Sequence, residues 1–375
     1  MSDPRMVSII ISSYSYGRFL TEAIDSALNQ TYPHTEVIVV DDGSTDNSRE
    51  IIAGYGTRII PVLKGNGGQA SAFNAGFRIS RGKVICFLDS DDALLPTAVE
   101  KAIDLFLVAD VVKVHWPLWT VDEHGRKKGD VVPHQVLSEG DLREVVMRGG
   151  PCSYVWPPTS GNAWARRLLE RIFPVPEVEY RVCPDLYLSA LAPIFGPMKR
   201  ISEPQGFWRI HGGNHSWREP FDERLKLVLR RWDHCARTLS DYCRQMGVYV
   251  NPELWKADSW FHQIHQATQE IAALIPLGDA FVLVDDDSWV TDEVVGARRR
   301  IPFLERDGQY WGRPSDDITA IRELERLRRS GANFIVFGWT SFWWLDYYSD
   351  FHRHLRSEFR CVLRNDRLVV FDLRP

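Results

Sequence analysis

The sequence predicts an α/β fold with a mostly parallel sheet, and two observations lead to this prediction. From Val7 to Leu107, short apolar segments of strand length alternate with segments whose apolar residues recur at helical spacing. After Gly278 a similar alternation begins again. Strands that alternate with helices favour parallel pairing through right-handed crossovers, so a central, mostly parallel sheet is expected.

The predicted elements follow one another in a regular order. The first part has strands at 7–12, 36–40, 58–63 and 84–88, with helices over 19–28, 47–55 and 69–78. Strands at 111–116, 198–201 and 206–210 and helices at 141–148, 163–172 and 184–191 follow. Residues 220–273 are expected to be helical, and the last part has strands at 281–284, 334–337, 359–363 and 368–371 with helices at 316–329 and 342–355.

A chain of 375 residues is longer than one hydrophobic core usually organises. We therefore predict an N-terminal domain over 1–219, a helical linker over 220–277 and a small C-terminal α/β domain of unknown role over 278–375. Whether the chain forms an oligomer through the surface of the C-terminal domain stays open. Its run Asp285-Asp286-Asp287 follows a strand and is expected to form a solvated turn.

Composition excludes several classes of protein. Hydrophobic residues at 44% and charged residues at 25% are typical of a globular chain, and a net charge of −5 argues against a nucleic-acid partner. The six cysteines form no C-x-x-C pair, which favours a reducing compartment. The sequence shows neither an export signal at its N-terminus nor an apolar run of about 20 residues. We expect a cytoplasmic protein without a transmembrane segment, with membrane contact limited to the inner face.

Acidic residues follow two of the predicted strands. Asp41 and Asp42 come after 36–40, and Asp89, Asp91 and Asp92 come after 84–88. In an open parallel sheet, ligands gather at the carboxyl ends of the strands, so these carboxylates are expected to meet. A divalent cation on a diphosphate would offset their repulsion, because Mg²⁺ and Mn²⁺ prefer oxygen ligands. The pattern indicates a metal-dependent enzyme acting on a nucleotide-linked substrate.

Two other interpretations of these segments stay open. Gly65-Asn66-Gly67-Gly68-Gln69-Ala70 satisfies G-x-G-x-x-A between a strand and a helix, which is a dinucleotide-binding pattern. It follows the third strand rather than the first, however, and the acid at the expected distance is one of a cluster. The acidic segments also have sequences that favour turns and helix caps, so a purely structural role is the second interpretation.

The motifs in their order and spacing resemble an inverting family 2 glycosyltransferase with the GT-A fold, over residues 7–215. The resemblance rests on these pieces: Ile9-Ile10-Ile11-Ser12-Ser13-Tyr14, Ser26-Ala27-Leu28-Asn29-Gln30-Thr31, Val39 to Asp46, Asn66-Gly67-Gly68 with Asn74-x-Gly76, and Leu88-Asp89-Ser90-Asp91-Asp92. It implies a nucleoside diphosphate sugar donor, a UDP- or dTDP-sugar, and a Mn²⁺ or Mg²⁺ cofactor. The implied acceptor is a carbohydrate or another hydroxyl compound, as in glycan or glycoconjugate synthesis.

The resemblance also implies roles for individual residues. Nucleotide binding falls to Ser13, Tyr14, Asp41, Asp42, Asn66 and Asp89. Asp91 is the implied metal ligand, and His211, in the segment 208–216 that resembles a loop closing over the diphosphate, is a second. Gly161 and Asn162 resemble a loop beside the donor sugar or acceptor.

The implied catalytic base is Asp185, which lies at the start of the helix predicted at 184–191. The family often has Glu-Asp at this point, and here Pro184 replaces the first acid. Helix capping is the structural alternative for Asp185. The departure at Pro184 also leaves open a non-catalytic or partner-dependent protein that binds a nucleotide sugar with the same fold.

Overall fold

A computed structural model describes residues 6–108, 110–212, 220–289, 294–295 and 297–374. The chain forms two compact units: unit 1 comprises Met1–Arg218 with Arg230–Trp255, and unit 2 comprises Glu219–Leu229 with Lys256–Pro375. Helix α8 (Phe221–Gln245) has residues in both. The three-part division at 219 and 277 remains a prediction.

Unit 1 contains eleven strands and seven helices before α8 among its described residues. The strands are β1 Val7–Ser13, β2 Thr35–Asp42, β3 Ile60–Lys64, β4 Val84–Asp89, β5 Ala93–Leu94, β6 Lys113–His115, β7 Leu118–Val121, β8 Lys127–Val132, β9 Asn162–Ala165, β10 Met198–Arg200 and β11 Gly206–Arg209. The helices are α1 Gly17–Leu28, α2 Ser48–Gly54, α3 Gln69–Ile79, α4 Ala98–Val108, α5 Arg143–Gly149, α6 Arg166–Ile172 and α7 Pro184–Leu191. Helix α9 Pro252–Asp258 starts where unit 1 ends.

The central sheet of unit 1 has seven strands in the order β10-β6-β9-β4-β1-β2-β3. Strands β4, β1, β2 and β3 pair in parallel, and only β9 runs antiparallel to its neighbours. The register aligns Ser12 with Val40 and with Asp89, so the carboxyl ends of the three strands lie at one edge. A second sheet, in the order β5-β11-β7-β8, contributes β11, which ends just before Ile210.

Both faces of the central sheet are buried. Ile10 belongs to one apolar cluster and its neighbours Ile9 and Ile11 to another, because successive side chains of a strand point to opposite faces. This explains why the predicted strands are continuous apolar runs rather than alternating ones. The predicted α/β architecture with a mostly parallel sheet is confirmed.

The prediction of a helix over 163–172 is wrong in its first part. Asn162–Ala165 is the buried strand β9, and the helix begins only at Arg166. Ala163 and Ala165 favour a helix in isolation, but here the segment fills the space between β4 and β6. Its position in the sheet overrides the local preference.

Unit 2 is built on a six-stranded sheet in the order β13-β14-β12-β17-β19-β18. Its strands are β12 Ala280–Val284, β13 Val294–Val295, β14 Arg298–Pro302, β17 Ala332–Gly338, β18 Arg360–Arg364 and β19 Leu368–Asp372, and β15 Glu305–Arg306 pairs with β16 Gln309–Tyr310. Its helices are α10 Trp260–Leu274, α11 Asp317–Arg329, α12 Trp344–Tyr347 and α13 Ser349–Glu358. The helix predicted at 342–355 is therefore two helices.

The prediction of a solvated turn after β12 holds for Asp287, which is exposed, and is wrong for Asp285 and Asp286, which are packed. Asp285 is 2% exposed and accepts the backbone N–H groups of Asp287 and Trp289, each at 3.1 Å. Asp286 accepts from the guanidinium of Arg313 and the indole N–H of Trp344. These carboxylates therefore serve as turn and packing partners within unit 2.

Among the described residues, no helix combines the length and the apolar character that crossing a bilayer requires.

Gly76 allows α3 to lie close against the sheet, and its replacement tests this packing. A Cβ added there would overlap Cγ2 of Ile10 and lie 3.2 Å from Cγ2 of Val40. We expect Gly76→Ala to lower the free energy of unfolding by about 1–3 kcal/mol, as overpacking of a rigid core does. Gly54→Ala is the control, since a Cβ at the end of α2 meets nothing within 4 Å. Urea denaturation that shows equal losses for the two variants would contradict this.

Candidate active site

A cavity of about 480 Å³ opens in unit 1 at the carboxyl ends of β1, β2 and β4. This is where ligands bind in open parallel sheets. The cavity wall includes the following predicted site residues: Ser13, Tyr14, Asp42, Asn66, Asp89, Asp91 and Asp185. Residues that are 172 positions apart in the chain thus share one wall.

Asp42 holds the glycine-rich loop that precedes α3. Its carboxylate accepts the backbone N–H groups of Gly67 at 3.0 Å and Gly68 at 2.6 Å, and the ammonium of Lys64 at 2.5 Å. These contacts within the protein hold the loop against the end of β2. Asp42 is buried, yet it lines the cavity and can face a ligand there.

Asp41 points away from the cavity wall. It is fully buried, and its Oδ1 accepts from Nε of Arg49 at 2.7 Å and from the backbone N–H of Ser44 at 3.3 Å. Its Oδ2 has no hydrogen-bond partner among the described residues. The same is true of the buried Ser13 Oγ, which does line the cavity. Buried polar atoms of this kind usually have partners, so a ligand hydroxyl or amide fits at Ser13.

Three carboxylates crowd the end of β4. Burial, together with the charges of Asp91 and Asp185, raises the pKa of Asp89 to about 8. Burial and the neighbouring Asp91 and Asp89 likewise raise the pKa of Asp92 well above its usual range. Asp92 accepts from Ser160 Oγ at 2.6 Å and from the backbone N–H of Arg209 at 3.0 Å. Positive charge brought to this cluster would be stabilised strongly.

His211 meets Asp91 at the edge of the cluster. Its Nε2 lies 3.0 Å from Asp91 Oδ2, while its Nδ1 is 3.2 Å from Nη2 of Arg18. Because the guanidinium can only donate, Nδ1 accepts and Nε2 carries the proton toward Asp91. The residues predicted at 213–216 of this loop lie outside the described residues.

The spacing of Asp91 and His211 suits two ligands of one cation. Two adjacent ligands of an octahedral Mg²⁺ at 2.0–2.1 Å are about 3 Å apart, which matches the 3.0 Å between Oδ2 and Nε2. Within the described residues, no group of three or more His, Cys, Asp or Glu side chains forms a complete metal site. Two protein ligands suit a cation whose remaining ligands are waters and substrate phosphates. The residues fit a nucleotide-bound Mg²⁺ or Mn²⁺ once the cation replaces the proton on His211 Nε2, which requires Nδ1 to carry the proton instead of accepting from Arg18.

Asp185 lies in the first turn of α7. Pro184 precedes it at the first helical position, where proline is favoured because its missing N–H would have no partner. Burial raises the pKa of Asp185, and the backbone N–H groups of the first turn and the charge of Lys113 offset part of this effect. A carboxylate with a raised pKa at a cavity wall can accept a proton near neutral pH.

Lys113 is a fully buried lysine behind this wall. Its Nζ donates to Ser189 Oγ at 3.2 Å, one helical turn after Asp185, and lies 4.6 Å from the ring centre of Trp164. Burial lowers its pKa well below the usual range of lysine. Sequence reasoning missed it, because a lysine in a three-residue strand gives no sign of full burial.

Asn74 of the Asn74-x-Gly76 motif is structural. Its side chain donates to the carbonyl of Val175 at 2.9 Å and accepts the backbone N–H of the same residue at 2.8 Å. It also donates to Glu177 at 3.1 Å. Helix α3 thus holds the segment that leads toward Asp185.

Gly161 and Asn162 lie behind the cavity wall. Both are buried, and Asn162 Nδ2 donates to the carbonyls of Pro158 at 2.7 Å and Thr159 at 3.1 Å. Pro158 and Thr159 themselves line the cavity. A role of Gly161 and Asn162 toward the sugar or acceptor stays a prediction.

Sequence reasoning assigned no site role to several residues of the cavity wall. These are Tyr16, Gln69 and Arg181. Gln69 was visible only as part of the G-x-G-x-x-A string, and Arg181 comes from a segment without a motif. Their positions depend on contacts between distant parts of the chain.

Residues 8–155 match the family model described as Glycosyl transferase family 2. This part of the chain is similar to glycosyl transferase family 2. With the mostly parallel sheet, this similarity confirms the predicted GT-A-type α/β fold.

The family 2 region has curated relatives. An uncharacterized glycosyltransferase of Nostoc sp. is 37% identical over 213 residues, which are 56% of this chain and 66% of that protein. An uncharacterized glycosyltransferase of Rickettsia prowazekii is 44% identical over 139 residues, 36% of this chain and 44% of that protein. Chondroitin synthase of Pasteurella multocida is 45% identical over 105 residues, 27% of this chain and 11% of that protein. The chain thus spans less than two thirds of each of these relatives.

Solved structures also resemble the chain. Residues 1–349 of S. aureus TarS in complex with UDP have 19% identity and a TM-score of 0.47, covering 72% of this chain and 79% of that one. A mannosyltransferase of Pyrobaculum calidifontis in complex with GDP-Man and Mn²⁺ has 18% identity and a TM-score of 0.44, covering 74% and 79%.

Proposed function

We propose that this protein is a metal-dependent inverting glycosyltransferase. It would move a sugar from a UDP- or dTDP-sugar to an acceptor hydroxyl in the synthesis of a glycan or glycoconjugate. The observation that carries the proposal is the meeting of Asp42, Asp89, Asp91 and Asp185 on one cavity wall of a family 2 domain. That wall offers a nucleotide site, a cation site and a base side by side.

The nucleotide end of the cavity is assigned to β1 and β2. Ser13, Tyr14 and Asp42 would contact the base, with Asp41 supporting Asp42 from behind. Asn66 would contact the nucleotide from the glycine-rich loop. Asp89 would face the ribose, because it lies between this end of the cavity and Asp185 and its pKa responds to the charge of Asp185.

Asp91 and His211 would hold Mn²⁺ or Mg²⁺ on the diphosphate. A cation bound there neutralises the charge that develops on the departing nucleoside diphosphate. Arg18 lies 3.2 Å from His211 Nδ1 and would leave this contact when Nε2 binds the cation and Nδ1 carries the proton. Asp91 and His211 would thereby set where the phosphates lie.

Asp185 would act as the general base. It removes the proton of the acceptor hydroxyl as the acceptor oxygen bonds to the anomeric carbon and the bond from that carbon to the diphosphate oxygen breaks. Attack from the face opposite the leaving group inverts the configuration. Asp185 and Asp91 both line the cavity, which leaves the reacting carbon between them.

The non-catalytic alternative rested on Pro184 and on the appended C-terminal domain, and the position of Pro184 in α7 does not favour it. Proline at the first position of α7 is favourable for the helix, and Asp185 still lines the cavity. Sugar turnover by the purified chain without partners would exclude this alternative. We also propose a cytoplasmic location, since all six cysteines are free, as reducing conditions maintain them.

Loss of the base should reduce turnover without loss of nucleotide affinity. We expect Asp185→Asn to lower kcat for release of the nucleoside diphosphate, UDP from UDP-sugars or dTDP from dTDP-sugars, with MnCl₂ by about 10²- to 10⁴-fold. Affinity for UDP by titration calorimetry should stay within about threefold, because the base does not contact the nucleotide. Asp104→Asn, an exposed aspartate on α4, is the control. Full turnover by Asp185→Asn for every donor that the wild type accepts would rule out this role.

The pH dependence of turnover should report the same group. Asp185 acts only when deprotonated and burial raises its pKa, so kcat/KM should fall as the pH decreases through a value above the ordinary aspartate pKa of about 3.9. Rates measured from about pH 4 to pH 8 should show this acid limb in the wild type and in Asp104→Asn. Persistence of the same limb in Asp185→Asn would assign it to another group.

Loss of the metal ligand should act on metal-dependent binding. We expect Asp91→Ala to weaken UDP binding in MnCl₂ by about 10- to 100-fold or more, because one of two protein ligands is lost. Binding in EDTA should change little. Asp104→Ala serves as the control, and thermal shift and calorimetry provide the measurements. An unchanged Mn²⁺ effect in Asp91→Ala would place the cation elsewhere.

A further inference from the structure

The glycine-rich loop and the start of α3 are tied to the segment that leads into α7. The backbone N–H of Gln69 donates to the carbonyl of Arg181 at 2.7 Å, and the Arg181 guanidinium donates to Asn66 Oδ1. Gly68 lies so close to this segment that an added Cβ would be 2.6 Å from the Arg181 carbonyl oxygen. The two segments, more than 100 residues apart in sequence, therefore form one contact at the cavity wall.

The side-chain amide of Gln69 makes a second connection in this place. Its Oε1 accepts the backbone N–H of Cys183 at 3.0 Å, and its Nε2 donates to Asp89 Oδ1 at 2.7 Å. A backbone N–H can only donate, so the amide oxygen must face Cys183 and the amide nitrogen must face Asp89. One side chain thereby joins the carboxylate cluster to the residue that begins α7.

Cys183 is held in an uncommon conformation. Its φ of 62° and ψ of 52° lie in the left-handed region, which is unfavourable for a residue with a Cβ. Cys183 is the N-cap of α7, and no side chain caps this helix end. The hydrogen bond from its N–H to Gln69 therefore fixes the backbone two residues before Asp185.

We infer that Gln69 is a positioning residue that sets the distance and orientation of Asp185 relative to Asp89. The inference rests on the proposed function and deepens it. Gln69 needs no contact with the acceptor, since it acts through the start of α7. Its effect belongs to the step in which Asp185 takes the acceptor proton, and nucleotide affinity is separate from it.

A double-mutant cycle between Gln69 and Asp185 tests the inference. The assay is release of UDP from UDP-glucose, UDP-galactose or UDP-N-acetylglucosamine, or of dTDP from a dTDP-sugar, with MnCl₂ and water as the acceptor. We expect Gln69→Leu to lower kcat by on the order of 10- to 100-fold, as misplacement of a catalytic group by about 1 Å does. In the Asp185→Asn background, the same change should lower kcat by less than about threefold, because the group that it positions is already lost.

Controls separate positioning from folding and from donor binding. Gln245→Leu, at the exposed end of α8 in unit 1, should leave kcat unchanged. The Kd for UDP with MnCl₂ should stay within about threefold in Gln69→Leu, since its contacts with the ribose side are indirect. If Gln69→Leu fails to fold, the same cycle is made with Gln69→Glu, which keeps the shape and the oxygen that faces Cys183 and loses the donor to Asp89.

The outcomes are distinct. Equal fold losses in the two backgrounds, or wild-type kcat in Gln69→Leu, would overturn the inference while the proposed function stands. Lack of turnover of every UDP- and dTDP-sugar by the wild type would instead count against the proposed function. A loss of kcat that occurs only in the background that retains Asp185 supports both the inference and the proposed function.

Discussion

The repulsion among buried carboxylates at the end of β4 is the constraint on which the rest of the site depends. Burial and mutual charge raise the pKa of Asp89 and of Asp92, so the cluster is unfavourable in its charged form. Neighbouring groups reduce this effect: Ser160 and the Arg209 backbone donate to Asp92, and Gln69 donates to Asp89. In the proposed function, the remaining negative charge would favour a ligand that brings a cation into the cavity.

The parallel sheet explains why the sequence was sufficient to predict most of this cluster. Ser13, Asp42, Asp89 and Asp91 lie in or directly after strands whose register is fixed by continuous apolar runs. Once β1, β2 and β4 are adjacent and parallel, their carboxyl ends must lie at one edge. Predicting these strands therefore also predicted which of their residues lie at the candidate site.

Other features could not be predicted, because they depend on contacts across the fold. β9 is a strand only because the space between β4 and β6 exists, and its alanines alone favour a helix. Lys113 is buried behind Asp185 because α7 and the ring of Trp164 cover it. Gln69 looked like one position of a dinucleotide pattern, and its two partners lie 20 and 114 residues away.

Long-range hydrogen bonds determine the role of the glycine-rich loop. In a dinucleotide fold such a loop curves around a pyrophosphate, with its N–H groups directed at the ligand. Here the N–H groups of Gly67 and Gly68 are taken by Asp42. The loop therefore serves as a structural link between the end of β2 and the segment before α7. In the proposed function, a phosphate would therefore be bound elsewhere in the cavity, held by a cation on Asp91 and His211.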